Sequence, residues 1–130
     1  MNIHVLLVED DPDVSALYIT RLKAAQFTVK HLSNGEDVMP LTDDAKNRPD
    51  IILMDLMLPG KNGFEVIKEL RATSWKAIPV IVLTAFADPI RQEEATKLGI
   101  ESYYLKTEIT PGELVKLIAD KVGAHRSTKS

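Results

Sequence analysis

The chain has 130 residues, of which 45% are hydrophobic and 27% charged, and its formal net charge is −3. These values predict one globular domain rather than a disordered chain, and they give no electrostatic reason to expect DNA, RNA or an anionic membrane as a partner. The chain has no cysteine, which excludes disulfides and thiolate chemistry. No secretory signal and no apolar run of about 20 residues is found, so a cytoplasmic protein is expected.

Five short apolar runs predict β-strands. They lie at residues 3–8, 27–32, 51–54, 79–84 and 102–105 and are rich in β-branched and aromatic side chains. Four of them are almost continuously apolar, as expected of strands that are buried on both faces. The second run alternates apolar and polar residues, and we therefore expect it nearer the edge of the sheet.

Helical spacing of apolar residues occupies the segments between and after these strands. The predicted helices cover 13–25, 36–46, 63–72, 89–98 and 111–122, and the second of them has the weakest pattern. The residues expected to cap the other four are Asp11, Asn62, Asp88 and Thr110. Strands that alternate with helices predict an α/β domain whose parallel sheet is covered on both faces.

The candidate functional residues collect at the carboxyl ends of the predicted strands, where open parallel sheets bind their ligands. They are Glu9, Asp10 and Asp11 after the first strand, Asp55 after the third, Thr84 at the end of the fourth and Lys106 after the fifth. Taken singly, each has an ordinary structural explanation, such as helix capping by Asp11. Together they predict a cluster of acids, one hydroxyl and one ammonium group.

Asp55 stands out because it interrupts a run that is apolar on both sides, "IILMDLML". A partly buried carboxylate is unfavourable by several kcal/mol unless a cation or hydrogen-bond donors receive it. Glu9 and Asp10 add like charge to this position. A divalent cation such as Mg²⁺, with Lys106 on the other side, would offset the charge. A carboxylate nucleophile, a metal and a lysine are the components of phosphoryl transfer onto a carboxylate.

The sequence resembles the receiver domain of two-component response regulators over residues 2–122. The matching stretches are "VLLVEDDPDV", "PDIILMDLMLPGKNGFEVIKELR", "IPVIVLTA" and "LGIESYYLK". The second is the most specific, because Asp55 and the following "LMLPGKNG" match the family's phospho-acceptor strand and its Pro-Gly-x-Asn/Asp-Gly loop. The resemblance implies a flavodoxin-like, doubly wound (βα)5 fold with a five-stranded parallel sheet in the order 2-1-3-4-5.

The resemblance also assigns the acidic residues to phosphorylation. Asp55 would accept a phosphoryl group from a sensor histidine kinase or a histidine phosphotransfer protein. Glu9, Asp10 and Asp55 would hold Mg²⁺, or Mn²⁺ in its place, and the backbone carbonyl of Met57 would complete the protein ligands. The domain would be a regulatory switch that catalyses only its own phosphorylation and dephosphorylation.

The same resemblance implies a conformational response. Thr84 would hydrogen-bond the phosphoryl group, Ala85 would leave room for it, and Lys106 would pair with its charge. Tyr103 matches an aromatic residue that swings inward when the threonine moves, although it could instead be a strand aromatic that packs on the last helix. The response would appear on the fourth helix, fifth strand and fifth helix, residues 88–122, as binding of a downstream protein or formation of a phosphorylation-dependent dimer.

Two residues near the acceptor have open roles. Met57 and Phe86 either fill space or hinder the approach of water and so prolong the phosphorylated state. The second reading predicts a long-lived phosphoryl group.

Three other functions compete with the receiver interpretation. A phosphatase or phosphotransferase with an aspartyl nucleophile would place a second acid two residues after Asp55, where this chain has Met57. A flavodoxin-like cofactor binder would need a phosphate-binding loop after the first strand, and "EDDPD" repels phosphate. A receiver that works without phosphorylation, as a protein-binding module, remains open.

The sequence departs from the family directly after Lys106, where Thr107 replaces the usual cis-bonded proline. A cis bond without proline is unfavourable by about 2.5–4 kcal/mol, so we predict a trans bond between Lys106 and Thr107. Residues 123–130, "GAHRSTKS", are small and polar and predict a flexible tail after a receiver domain at 1–122. A tail of this length fits a stand-alone receiver and the first domain of a longer regulator equally. The "GIES" before Tyr103 mildly favours the stand-alone receiver.

Overall fold

The computed structural model describes residues 2–85 and 87–129, with side chains through residue 127. Its centre is a sheet of five parallel strands in the order β2-β1-β3-β4-β5. The strands are β1 (His4–Val8), β2 (Thr28–Leu32), β3 (Ile51–Asp55), β4 (Val80–Thr84) and β5 (Ser102–Leu105). Both the parallel sheet and its predicted order are therefore confirmed.

Four α-helices cover the sheet: α1 (Pro12–Ala24), α2 (Gly63–Leu70), α3 (Pro89–Lys97) and α4 (Pro111–Lys129). Apolar side chains of α1 and α4 form one buried cluster with one face of the sheet. Those of α2 and α3, with the fully buried Trp75, form a second cluster on the other face. No helix in the described residues is long and apolar enough to cross a membrane.

The strand sequences match their positions in this arrangement. All five residues of β3 and all five of β4 are buried, since helices cover both faces of these central strands. The edge strand β2 has no fully buried residue, which explains why only this strand alternates apolar and polar side chains.

The predicted caps are present at four helix starts. The Asp11 carboxylate accepts the N–H groups of Asp13 at 2.9 Å and Val14 at 3.2 Å. Asn62 and Asp88 cap α2 and α3 in the same way. Thr110 and Glu113 form a reciprocal capping box with distances of 3.1 and 3.0 Å. The Thr110 N–H held by the Glu113 carboxylate lowers the pKa of that group.

The prediction of an α-helix at residues 36–46 is wrong. This segment contains two 3-10 helices instead, Met39–Asp43 and Ala45–Asn47. Pro40 has no N–H to donate, and the Asp44 side chain accepts the Lys46 N–H at 2.9 Å in place of a helical carbonyl. The segment therefore cannot continue as an α-helix, and the fourth and fifth predicted helices are α3 and α4.

The last helix is longer than predicted, because α4 continues to Lys129 where a flexible tail was expected from residue 123. The apolar stripe ends at Val122, so the sequence pattern gave no reason to extend the helix. Polar contacts hold the extension: Arg126 donates to the Asn2 carbonyl at 2.9 Å and pairs with Asp50 at 3.0 Å.

Gly63→Ala is expected to destabilise the protein by about 1–3 kcal/mol, because there is no room for a methyl group. The added Cβ would lie 2.5 Å from the Asp55 carbonyl oxygen and 2.8 Å from the Leu56 Cα atom. Gly123→Ala is the matched control: nothing lies within 4 Å of its Cβ, and a gain of up to about 1 kcal/mol is expected from helix propensity. Urea unfolding measures the stability of both variants. Equal unfolding midpoints would contradict the close packing described around Gly63.

Candidate functional site

The carboxyl ends of the parallel strands bring the predicted site residues to one edge of the sheet. Strand β1 pairs with β3, β3 with β4 and β4 with β5, each in parallel register. The order in which the strands are added to the sheet changes direction at β1, because β2 lies on one side of β1 and β3 lies on the other side. In doubly wound sheets this reversal opens the crevice where ligands bind.

Three carboxylates meet in this crevice. Each of Glu9, Asp10 and Asp55 offers an oxygen that lies within 4.8 Å of the others. Glu9 is 2% exposed and Asp55 is 5% exposed, whereas Asp10 faces solvent. Oxygen ligands of this kind suit a hard divalent cation such as Mg²⁺. The donor set therefore fits the metal expected from the sequence.

Lys106 enters the cluster from β5 and contacts both buried acids. Its Nζ atom lies 2.5 Å from Oε1 of Glu9 and 3.0 Å from Oδ2 of Asp55. Burial alone would lower the pKa of Lys106, but its hydrogen bonds to the two carboxylates raise it above the usual value. The Lys106 N–H donates to the Thr84 carbonyl at 2.8 Å. The described residues contain no cis peptide bond, so the predicted trans bond to Thr107 is confirmed.

Glu9 is the most perturbed acid of the cluster. Burial, reinforced by the neighbouring Asp55, raises the pKa of Glu9 to about 7 although Lys106 acts in the opposite direction. The negative charge of the site is thus only partly offset by its one lysine. A further cation would complete the compensation.

Glu9→Gln is expected to stabilise the metal-free protein at pH 8 by about 1–3 kcal/mol. The folded pKa of Glu9 lies above its ordinary value of 4.5, so its contribution to stability is fully present below pH 4.5. That contribution is lost as the pH rises through about 7. The gain from glutamine should therefore be larger at pH 8 than at pH 5.

Urea unfolding in the presence of a chelator at both pH values measures this effect. The exposed Glu94 of α3 supplies the control Glu94→Gln, for which no pH-dependent gain is expected. If Glu9→Gln raised the free energy of unfolding equally at pH 5 and pH 8, the excess negative charge described for the acid cluster would be contradicted.

The remaining predicted residues surround Asp55. The Met57 N–H donates to Oδ1 of Asp55 at 3.0 Å, and the Met57 side chain is 60% exposed at the rim of the site. Thr84 is buried at the end of β4, and Ala85 beside it is exposed. Phe86 lies outside the described residues. The rate-tuning role of Met57 stays a prediction.

Tyr103 faces the same crevice from β5. It packs at the margin of the apolar cluster formed with α2 and α3, on the sheet face opposite α4. Its hydroxyl is buried and has no hydrogen-bond partner among the described residues. Burial, with a smaller effect of Asp88, raises the pKa of this hydroxyl. Tyr103 therefore does not pack on the last helix, the alternative considered from the sequence.

Sequence reasoning missed two residues that contact or influence the site. A ring nitrogen of His31 lies 2.8 Å from the Glu9 carbonyl and ties the edge strand to the acid cluster. Tyr18 of α1 is buried, and its raised pKa, caused mainly by burial, also responds to the charges of Lys106 and Glu9. Neither has a sequence signal, since one lies in an alternating strand and the other in a helical apolar stripe.

Comparison with known proteins identifies the family. A family model described as the response regulator receiver domain matches residues 5–119. The chain belongs to the response regulator receiver family.

The curated relatives of this receiver domain include two transcription regulators. The transcriptional regulatory protein BaeR of Escherichia coli O6:H1 is 35% identical over 111 residues, covering 85% of this chain and 44% of BaeR. The DNA-binding response regulator MtrA of Mycolicibacterium smegmatis is 35% identical over 115 residues, covering 88% of this chain and 48% of MtrA. The receiver domain thus spans about half the length of these relatives.

Solved receiver structures agree with the fold. A putative response regulator from Chloroflexus aurantiacus has a TM-score of 0.82 at 28% identity, covering 95% of this chain and 99% of its own. The BeF3-activated N-terminal receiver domain of Klebsiella pneumoniae RstA gives 0.81 at 28% identity, covering 92% and 97%. The receiver domain of a Pseudomonas aeruginosa sensor histidine kinase, with a magnesium ion coordinated in its active site cleft, gives 0.82 at 28% identity, covering 95% and 99%.

Proposed function

We propose that this receiver domain is a phosphorylation-dependent switch in which Asp55 accepts the phosphoryl group. The observation that carries the proposal is the position of the Asp55 carboxylate, buried between two further acids and Lys106 at the reversal point of the sheet. One oxygen is held by the Met57 N–H and the other by Lys106. The nucleophile is therefore oriented before a donor arrives.

The proposed cofactor is Mg²⁺, with Mn²⁺ as a substitute. Glu9, Asp10 and Asp55 would hold it through carboxylate oxygens, and the Met57 carbonyl would be the remaining protein ligand. The magnesium ion in the sensor-kinase receiver supports this assignment. The bound metal would neutralise the charge of the acids and of the incoming phosphoryl group.

The chain's own residues perform the rest of the chemistry. An oxygen of Asp55 attacks phosphorus, and the phosphoryl group becomes bonded to Asp55. Lys106 pairs with the negatively charged phosphoryl oxygens during this transfer. Thr84 donates a hydrogen bond to the phosphoryl group, and the small Ala85 leaves space beside it. Tyr103 moves in response to Thr84 and gains a partner for its hydroxyl.

The response is transmitted by α3, β5 and α4, residues 88–122. Phosphoryl contacts with Thr84 and Lys106 favour one of two arrangements of this face, which shifts the population between them. The phosphoryl group comes from a sensor histidine kinase or a histidine phosphotransfer protein in the cytoplasm. The output is a protein contact or a phosphorylation-dependent dimer, and this domain itself binds no nucleic acid.

The competing enzyme interpretation is less well supported. A phosphatase needs a proton-transferring group beside the aspartyl nucleophile, and the residue two positions after Asp55 is Met57. We therefore propose that the domain catalyses only its own phosphorylation and dephosphorylation. A phosphorylation-independent binding module is disfavoured, because every expected site residue in the described chain is of the required type.

Incubation with acetyl phosphate, followed by intact-mass measurement, tests the proposed function. With Mg²⁺ the protein should gain the mass of one phosphoryl group, and with excess chelator it should gain none. Release of phosphate in many turnovers without a stable adduct would support the phosphatase. No mass gain and no turnover would leave the binding module as the remaining interpretation.

A further inference from the structure

The loop that carries Lys106 into the site is exposed over much of its length. Lys106 is the first residue after β5, and its N–H group donates to the Thr84 carbonyl at 2.8 Å. Thr107 and Glu108 are exposed, and the chain is next buried at Ile109, which packs in the cluster formed with α1 and α4. Exposed connecting segments move more than the strands they follow. The position of the Lys106 amine therefore depends on what fixes this loop.

The backbone after Lys106 has no proline to restrict it. Thr107 follows through a trans bond, and a threonine leaves the φ angle free to vary where a proline would fix it. The restraint on the loop must therefore come from hydrogen bonds.

Glu108 forms two such hydrogen bonds, and both join it to Leu105. The Glu108 N–H group donates to the Leu105 carbonyl at 2.9 Å. The carboxylate oxygen Oε1 of Glu108 accepts the Leu105 N–H at 2.8 Å. Residues 105–108, which we call the lysine turn, are thus closed by one bond in each direction, with Lys106 and Thr107 between them.

The Glu108 carboxylate also lies at the open edge of the sheet. The N–H groups of consecutive strand residues point to opposite sides, and the Lys106 N–H points to β4. The Leu105 N–H therefore points away from β4, on the side where β5 is the outermost described strand. If the Glu108 carboxylate were absent, water would satisfy this donor without restraining the end of the strand.

The position of the lysine turn matters because the Lys106 amine acts at a distance from its backbone. Its Nζ atom lies 3.0 Å from Oδ2 of Asp55 and also pairs with Glu9. A lysine amine sits on a flexible four-carbon stem, so a shift of the backbone moves the amine or changes its rotamers. A displacement of about 1 Å at a reacting centre can lower a rate about a hundredfold.

We propose that Glu108 is a positioning residue for the phosphorylation of Asp55, because its carboxylate closes the lysine turn and holds Lys106 at the acceptor. The inference rests on the proposed function. No bond forms or breaks at the Glu108 carboxylate, and it transfers no proton. Its effect on the rate therefore passes through Lys106. If Glu108 only satisfied a donor at the sheet edge, its loss would lower stability and leave the rate unchanged.

Glu113 provides a control with the same geometry. Its Oε1 atom accepts the N–H of Thr110, three residues earlier, at 3.0 Å, as Glu108 accepts the N–H of Leu105 at 2.8 Å. Both glutamates are exposed, and replacing either by alanine changes the net charge equally. Glu113 caps α4 instead of closing the lysine turn. Both alanine variants should therefore lower the urea unfolding midpoint, and they should differ in the phosphorylation rate.

Single-turnover phosphorylation by acetyl phosphate at saturating Mg²⁺ measures that rate. Glu108→Ala should lower the rate constant about fivefold, the size expected from the loss of one hydrogen bond. Glu108→Gln keeps an oxygen that can accept the Leu105 N–H and should recover most of the loss. Glu113→Ala should keep the wild-type rate constant.

Hydrogen exchange of the Lys106 amide in chelator measures the positioning without metal or phosphodonor. This amide is held by the Thr84 carbonyl, and its exchange reports opening at the end of β5. Glu108→Ala should speed its exchange about fivefold, and Glu113→Ala should leave it unchanged.

A double-mutant cycle with Lys106→Met separates an effect through the lysine from a general effect on the site. In the Lys106→Met background, Glu108→Ala should cause no further slowing, because the side chain that it positions is absent. A fivefold slowing in this background too would overturn the proposal.

Three other results would also overturn the proposal. They are a wild-type rate or wild-type amide exchange in Glu108→Ala, equal slowing by Glu113→Ala, and a Glu108→Gln rate as low as that of Glu108→Ala. Failure of the wild type to take up a phosphoryl group would overturn the proposed function, and the role of Glu108 in it.

Discussion

Asp55→Asn is expected to leave the protein folded and unable to take up a phosphoryl group from acetyl phosphate. Asparagine keeps the oxygen that accepts the Met57 N–H but is not a nucleophile toward phosphorus. Lys106 keeps its contact with Glu9, so one cation still faces one buried carboxylate. We therefore expect stability in chelator at least equal to that of the wild type, with complete loss of the mass gain.

Asp13→Asn is the matched control for this variant, because it removes the same charge from an exposed position in the first turn of α1. It should be phosphorylated like the wild type. Phosphorylation of Asp55→Asn at the wild-type rate would contradict the role of Asp55. If Asp55→Asn failed to fold, as judged by circular dichroism and urea unfolding, the expectation that Lys106 still compensates the Glu9 carboxylate would be contradicted.

Lys106→Met is expected to affect both stability and chemistry. At neutral pH the cation contributes fully, because its pKa is raised in the folded protein and its contribution is lost only above the ordinary lysine range. Its removal leaves Glu9 and Asp55 buried without a cation, which should destabilise the metal-free protein by about 3 kcal/mol at pH 8. Phosphorylation by acetyl phosphate should slow by at least about a hundredfold, since the phosphoryl oxygens lose their lysine partner.

Urea unfolding and single-turnover phosphorylation measure the two effects separately. The destabilisation should shrink at pH 5, where Glu9 takes up a proton and the uncompensated charge falls. Lys116→Met removes an exposed lysine from α4 and should change neither quantity. A Lys106→Met protein with the wild-type rate would contradict the role of the lysine at the acceptor.

The site residues that lie at the carboxyl ends of strands could be predicted from the sequence. Asp55 and Thr84 are the last residues of their strands, and Glu9 and Lys106 directly follow theirs. Parallel strands must bring those ends together. An apolar run interrupted by Asp55 indicated that a buried charge needed partners. The helix caps were equally predictable, because a side-chain oxygen before Pro12 or Pro89 satisfies N–H groups of the same segment.

The remainder depends on contacts between distant segments. The helical pattern at 36–46 was overridden by Pro40 and by the Asp44 side chain. The extension of α4 depends on Arg126 reaching Asn2 and Asp50, and no local pattern encodes that contact. The raised pKa of Glu9 follows from burial beside Asp55, which spacing alone does not reveal.

The contact between Phe64 and Arg91 could not be anticipated for the same reason. The two residues belong to helices that are apart in sequence, and the Arg91 guanidinium reaches the Phe64 ring because α2 and α3 pack on the same face of the sheet.

The location of the phosphoryl group tests the central claim most directly. An aspartyl phosphate is an acyl phosphate, and borohydride reduces it to homoserine, which tandem mass spectrometry then assigns to one residue. After reaction with acetyl phosphate and Mg²⁺, we expect homoserine at position 55 and nowhere else. A side chain reduced to an alcohol at Glu9 or Asp10, or no homoserine at position 55, would contradict the account.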